Sequence, residues 1–248
     1  MAKKRLRAEA LLAAAASPLP PPLADLVPDA TLAAEVAFEA DDLPRLLALL
    51  PGADLYLQDE VEVALHPPLT RVWCRKGRHG QRLVEAPGTN KKRVGCGLVD
   101  WRDGWLDWEL ADGRRAAPFC AQLRRALARS AARGRVAMVL LDNLSIHTPR
   151  GSMLLRALLA EASDRLVLVY TPPYDPDANR IEWLWRALRR AVTHCHQRET
   201  LDPLLADADE WAATLPPRTV LAQIGSPFAP RRRPPGTPPR RQVLSHAA

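Results

Sequence analysis

Two unbroken apolar runs, Val136 to Leu141 and Leu166 to Tyr170, constrain this chain more than any other feature. Each has strand length, and neither alternates with polar residues, so both faces of each strand must be covered. The stretches around them have helical periodicity: Ala116 to Ala132 before the first run, Ser152 to Ala162 between the two, and Asn179 to about His196 after the second. Apolar strands alternating with helices form a parallel layer packed on both sides. In the third stretch Ile181, Leu184, Trp185, Leu188, Ala191, Val192 and Cys195 share one face. A last helix is predicted over Leu201 to Leu215.

Upstream the pattern changes. Leu55 to Val63 reads as a strand and Thr70 to Cys74 as a second short one, after the turn at His66-Pro67-Pro68. Val94 to Trp101 and Trp105 to Leu110 flank Arg102-Asp103-Gly104, where Asp-Gly supplies the positive φ angles of a tight hairpin. Three antiparallel strands are expected, followed by two parallel ones, giving an α/β mixed sheet with helices on both faces. Three regions follow: an Ala/Pro-rich lead-in and linker helix over 1–53, the folded body over 54–215, and a Pro/Arg-rich disordered tail over 216–248.

Composition narrows the partners. No stretch is long and apolar enough to span a bilayer, and the basic start runs into Pro18 and Pro20 to Pro22 without a cleavage site, so a cytoplasmic, nucleoid-associated protein is expected. The four cysteines (Cys74, Cys96, Cys120, Cys195) lack C-x-x-C spacing and read as reduced thiols. The net charge is +7, unevenly placed. Residues 70–93 hold eight bases against Glu85, and residues 114–135 hold seven arginines and no acid. Such blocks suit a phosphate backbone. Arg71, Arg75, Lys76, Lys91, Lys92 and Arg93 are the DNA-binding candidates, while the second block also reads as a solvated helix face.

Three carboxylates stand where such a sheet exposes side chains. Asp59 lies in the first strand, Asp142 directly follows the first apolar run, and Glu182 projects from the first turn of the third helix. Ligands in open α/β sheets gather at the carboxyl ends of strands. Hard divalent cations take oxygen ligands, and a pair of them can activate water and stabilise a leaving oxygen at a phosphodiester. Each residue also has a plain structural reading: Asp59 as part of an acidic strand, Asp142 as the opening of a turn with Asn143, Glu182 as a capping partner of Asn179 or an i+4 partner of Arg186.

The segments around these residues carry a resemblance. Gln58-Asp59-Glu60, Val139 through His147, and Thr171 through Trp185 resemble the three signature blocks of bacterial insertion-sequence transposases related to the mariner superfamily. Leu65-His66-Pro67-Pro68, Arg71-Val72-Trp73 and Lys76-Gly77 look like the segment that follows the first aspartate in that family. The resemblance spans about Asp54 to Leu215 and implies a ribonuclease-H-like fold with a DDE/D triad at Asp59, Asp142 and Glu182, which would be both catalytic residues and metal ligands. It further implies Mg²⁺, with Mn²⁺ as substitute and two ions in all, cleavage of a phosphodiester at the transposon end, and joining of the freed 3′ hydroxyl to target DNA. Neither step needs a covalent enzyme intermediate. Glu60, Asn143, His147, Asn179 and Arg186 are expected to contact the ligands or the DNA.

Two departures qualify the resemblance. Arg180 stands where the family carries a proline, and the interval from Asp142 to Glu182 is about one helical turn longer than usual, which leaves Asp175 and Asp177 as alternative third ligands. The roughly 50 residues before the body are short and proline-broken for the helix-turn-helix modules that read terminal repeats. Expected partners are therefore double-stranded DNA, a separate or frameshift-fused helix-turn-helix region, and a second copy in a homodimer. The competing readings are a truncated, inactive DNA-binding remnant and another nuclease of the same fold.

Overall fold

A computed structural model describes residues 52–71, 75–77, 84, 88–171 and 178–230. Its centre is one five-stranded sheet built from β1 (Ala53–Ala64), β2 (Lys92–Asp100), β3 (Leu106–Ala111), β4 (Val136–Leu141) and β5 (Leu166–Tyr170). The strands lie in the order β3-β2-β1-β4-β5. The β1–β2 and β2–β3 pairs are antiparallel, whereas β1–β4 and β4–β5 are parallel. This is the expected mixed sheet. The apolar runs coincide with β4 and β5 because strands covered on both faces leave no polar position to blur their ends.

Helices α1 (Ala116–Ala131) and α2 (Met153–Ala162) cover one face. Phe119, Leu123, Leu155 and Leu158 pack there on Tyr56, Leu98, Val139 and Leu141. On the other face lie α3 (Ile181–Leu188), α4 (Leu201–Thr214) and α5 (Pro217–Gln223). Ile181, Leu184, Trp185, Leu204 and Val220 meet Leu55, Leu57, Met138 and Leu140. The alternation of neighbouring strand residues between the two clusters is the period-two pleat.

At the end of the sheet remote from Asp142, buried Asp54 and Asp100 share Arg133, whose Nη1 donates to both at 3.1 and 2.9 Å, and Arg135 closes on Asp54 at 2.6 Å. Tyr56 and Ser130 extend this network inward through a 2.9 Å hydrogen bond. Much of the second basic block is consumed in this way. Arg125 pairs with Asp107 and Glu109, Arg129 with Asp103, and Arg124 with Glu161.

Four expectations need correction. Thr70 and Arg71 carry no strand, and residues 72–74 of that expected strand lie outside the described residues. In the β2–β3 connection Gly104 alone has positive φ (+75°); Asp103 instead uses its carboxylate to accept the Trp105 N–H at 2.9 Å. The third helix is shorter than its periodicity suggests: it widens into a π-turn over Arg189–Thr193 and stops, and Cys195, with φ +51°, stands outside it. Residues 217–223 are helical instead of disordered, and the described residues continue to Pro230. Pro217 pre-sets the first turn of α5, and Val220, Leu221 and Ile224 are buried, a local apolar pattern hidden by the Pro/Arg composition downstream. The lead-in through residue 51 and residues 231–248 lie outside the described residues.

Candidate active site

The β1–β4 register brings the first two carboxylates to one level. Leu57 pairs with Leu140, and two further residues along these parallel strands set Asp59 beside Asp142, just past the end of β4. Adjacent strands lie about 4.8 Å apart, so both carboxylates open into one small region. Alternation sends the Asp59 and Glu60 side chains to opposite faces of the sheet. Asp59 meets α3, where the indole Nε1 of Trp185 donates to its Oδ2 at 3.1 Å. Glu60 turns to the other face, where its Oε1 accepts from His147 Nε2 at 2.9 Å and from Gln58 Nε2 at 3.2 Å.

His147 reaches this position through a short 3₁₀ turn, Ser145–His147, that follows Asp142. Its ring is fully buried, stacked at 4.3 Å on Phe119, and its Nδ1 donates to Asp142 Oδ1 at 2.5 Å. Burial alone would lower its pKa, but the hydrogen bonds and charges of Asp142 and Glu60 raise it to about 9, so both ring nitrogens carry protons. Asp142 moves in the opposite direction. Burial works against its charge, yet His147, the Leu144 N–H at 3.1 Å and the charge of Arg114 hold its carboxyl below the usual range. Asp59 is pushed up to about 8, first by burial and then by the charge of Glu182, with Glu60 and Asp142 adding to it against a backbone hydrogen bond from Glu60.

Glu182 sits in the first turn of α3, half-buried, with Arg189 Nη1 3.6 Å from its Oε2. The expected i+4 partner was Arg186; the ion pair instead comes from Arg189, two turns along the helix. Asn179 fixes where this helix begins. Its Nδ2 donates to the Gln58 carbonyl at 2.8 Å, and its own backbone carbonyl accepts the Glu182 N–H at 3.1 Å, so one residue ties the Glu182 turn to the residue before Asp59. Asn143 is exposed and donates to the Thr171 carbonyl at 2.8 Å, joining the ends of β4 and β5. Arg186 is exposed. Asp175 and Asp177 lie outside the described residues.

Each of the three carboxylates is thus turned toward a protein donor. Among the described residues no three His, Cys, Asp or Glu side chains stand in joint reach of one ion. The donor set is all oxygen, and the charge of Glu182 already falls on half-buried Asp59, a combination that a hard cation would relieve.

The expected basic surface is divided. Arg71, Arg75, Lys76 and Lys91 are exposed, whereas Lys92 pairs with Glu62 at 3.0 Å and Arg93 with Asp112 at 2.9 Å. Arg114, exposed at the start of α1, acts electrostatically on Asp142. In the sequence Arg114 reads only as one base of the second block. Trp185 reads from its apolar face as core ahead of a DNA-stacking residue; its spacing of three from Glu182 is the available sign that it shares the carboxylate's side of the helix.

A family model described as "DDE superfamily endonuclease" matches residues 54–204. The chain belongs to this family. The "Insertion element IS630 uncharacterized 39 kDa protein" of Shigella sonnei is 28% identical over 163 residues, covering 66% of this chain and 46% of that protein. This chain therefore aligns with less than half of that relative's length. Among solved structures, the "Mos1 transposase paired-end complex with left transposon end" aligns with a TM-score of 0.55 at 19% identity, over 75% of this chain and 56% of that one. The "Mos1 Strand Transfer Complex" gives 0.54 at 18%, with the same coverage. These likenesses establish the ribonuclease-H-like fold for this DDE-family chain. Among the described residues no helix is long and apolar enough to cross a membrane.

Proposed function

We propose that the protein is the catalytic part of an insertion-sequence transposase, in which Asp59, Asp142 and Glu182 hold Mg²⁺ or Mn²⁺, two ions in all, at a DNA phosphodiester. The observation that carries this reading is the shared environment of the three carboxylates: Asp59 abreast of Asp142 on adjacent strands, with the charge of Glu182 acting on Asp59. Bound there, the ions would activate a water or a 3′ hydroxyl and stabilise the leaving oxygen.

The chain's own residues supply orientation. His147 clamps Asp142 and is itself held by Glu60. Asn179 keeps the first turn of α3 against β1, which fixes the approach of Glu182. Arg189, paired with Glu182 in this structure, would be free to face a phosphate once a cation takes the carboxylate. Exposed Arg71, Arg75, Lys76 and Lys91 form the proposed contact to the DNA backbone, with Lys92 and Arg93 contributing less because each already has an acidic partner. Double-stranded DNA, comprising transposon ends and target, is the proposed substrate. A homodimer is the proposed active form, with terminal-repeat recognition by a helix-turn-helix region on a separate or fused segment.

The test is nicking of supercoiled plasmid by purified protein in Mg²⁺ or Mn²⁺. Cleavage should disappear with Asp142→Asn and with chelator, while circular dichroism shows the variant folded. Undiminished cleavage by folded Asp142→Asn would overturn the proposal. Joining of a labelled 3′ end to a second DNA separates a transposase from a simple nuclease.

A further inference from the structure

The ring of Trp185 is completely buried in the α3 face of the core, but its one polar atom is spent on the site. A buried indole N–H needs an acceptor, and here the acceptor is Asp59 Oδ2 at 3.1 Å. The seat of this ring is cut into the sheet. Asp59 pairs across to Gly97 of β2, where a Cβ would stand 2.2 Å from Trp185 Cη2. Gly95, two residues earlier, gives the same clearance to Trp108, where a Cβ would lie 1.9 Å from its ring. Trp108 meets Trp185 at 5.7 Å between centroids, tilted by 57°, and is itself anchored by its N–H on Asp209 of α4 at 2.8 Å. Backbone therefore forms the floor beneath the Trp185 ring and a second indole forms its wall. Trp185 also follows Glu182 by three residues, so the two side chains rise from one side of α3, one turn apart.

We propose that Trp185 is a positioning residue for the metal site: its N–H sets the rotation of the Asp59 carboxylate, so that Asp59 on β1 and Glu182 on α3 meet a divalent ion as a pair preset by one helix. The proposal rests on the metal-site reading above. A carboxylate tied at one oxygen favours monodentate ligation. Small ions that demand near-octahedral geometry accept this, whereas Ca²⁺ readily takes bidentate carboxylates in irregular shells. Releasing the tie should therefore weaken Mn²⁺ binding more than Ca²⁺ binding.

The experiment is calorimetric titration of the full chain with Mn²⁺ and, separately, with Ca²⁺, without DNA, for wild type, Asp59→Asn and Trp185→Phe. A variant with β-(3-benzothienyl)alanine at position 185, which keeps the bicyclic shape and replaces the N–H with sulfur, carries the test if Trp185→Phe does not fold. Outer contacts to metal ligands typically contribute 10–100-fold in affinity, so the Mn²⁺ dissociation constant should rise by about that factor in either position-185 variant. The Ca²⁺ constant should change far less. Wild-type Mn²⁺ affinity in the position-185 variants, or equal weakening of the two ions, would each overturn the proposal. If Asp59→Asn itself binds Mn²⁺ like wild type, the metal-site reading fails and the proposal with it; if Asp59→Asn loses Mn²⁺ while the position-185 variants keep it, the positioning role alone fails.

Discussion

Replacing His147 with glutamine should give a stability loss that depends on pH in a defined direction. The imidazole is fully buried and donates to Asp142 at 2.5 Å and to Glu60 at 2.9 Å. These partners raise its pKa from 6.5 to about 9. The folded protein therefore holds a proton that the unfolded chain releases as pH passes the lower value. The stabilisation is fully present below the unfolded pKa and is lost as pH rises through the folded one. At 1.36 kcal/mol per unit, that interval is worth about 3 kcal/mol. His147→Gln removes this contribution together with the contact on Phe119, which does not titrate. Urea unfolding in chelator should show a gap between wild type and variant that is largest near pH 6 and shrinks by about 3 kcal/mol toward pH 9.5. Asp59, raised to about 8, also costs stability as pH climbs, but it is present in both proteins and cancels to first order in their difference. A gap of constant size across this range would refute the doubly hydrogen-bonded imidazolium.

Two further perturbations probe the frame around the site. Arg133→Met leaves buried Asp54 and Asp100 without their shared partner; breaking a buried pair costs about 3–5 kcal/mol, but Arg135 still holds Asp54 and the Arg102 N–H still holds Asp100, so the expected loss is about 2–3 kcal/mol in urea unfolding at neutral pH. A loss below about 0.5 kcal/mol, the range of an ordinary surface substitution, would show the network to be solvated. Ile224→Ala, beyond the stretch matched by the family model, empties a fully buried position after α5 and should cost about 2–5 kcal/mol; an unchanged unfolding midpoint would mean that residues 217–230 do not share the core.

The sequence by itself determined the sheet and singled out three carboxylates as candidates for its chemistry. Val136–Leu141 and Leu166–Tyr170 are strands because nothing polar interrupts them, and Asp142 stands at a strand end because the apolar run stops there. The three family blocks led to the same carboxylates, Asp59, Asp142 and Glu182. The partners of these side chains could not be read in this way. Periodicity reports which way a side chain faces, and that is a local property. What it meets depends on strand register and helix docking between segments far apart in the chain. His147 finds Glu60 across 87 positions and Trp185 finds Asp59 across 126, and neither separation has a periodic signature. Lys92 and Arg93 read as free cations until pairing of β2 with its neighbouring strands sets them near Glu62 and Asp112. Glu182 meets Arg189 instead of Arg186, a choice that i+4 spacing could not supply. The tail reading failed for a related reason: bulk Pro/Arg content masked three apolar residues whose burial depends on the core face they meet. Composition and period fixed what each segment could become, and tertiary contact decided which carboxylates would be oriented, by which donors, and at what charge.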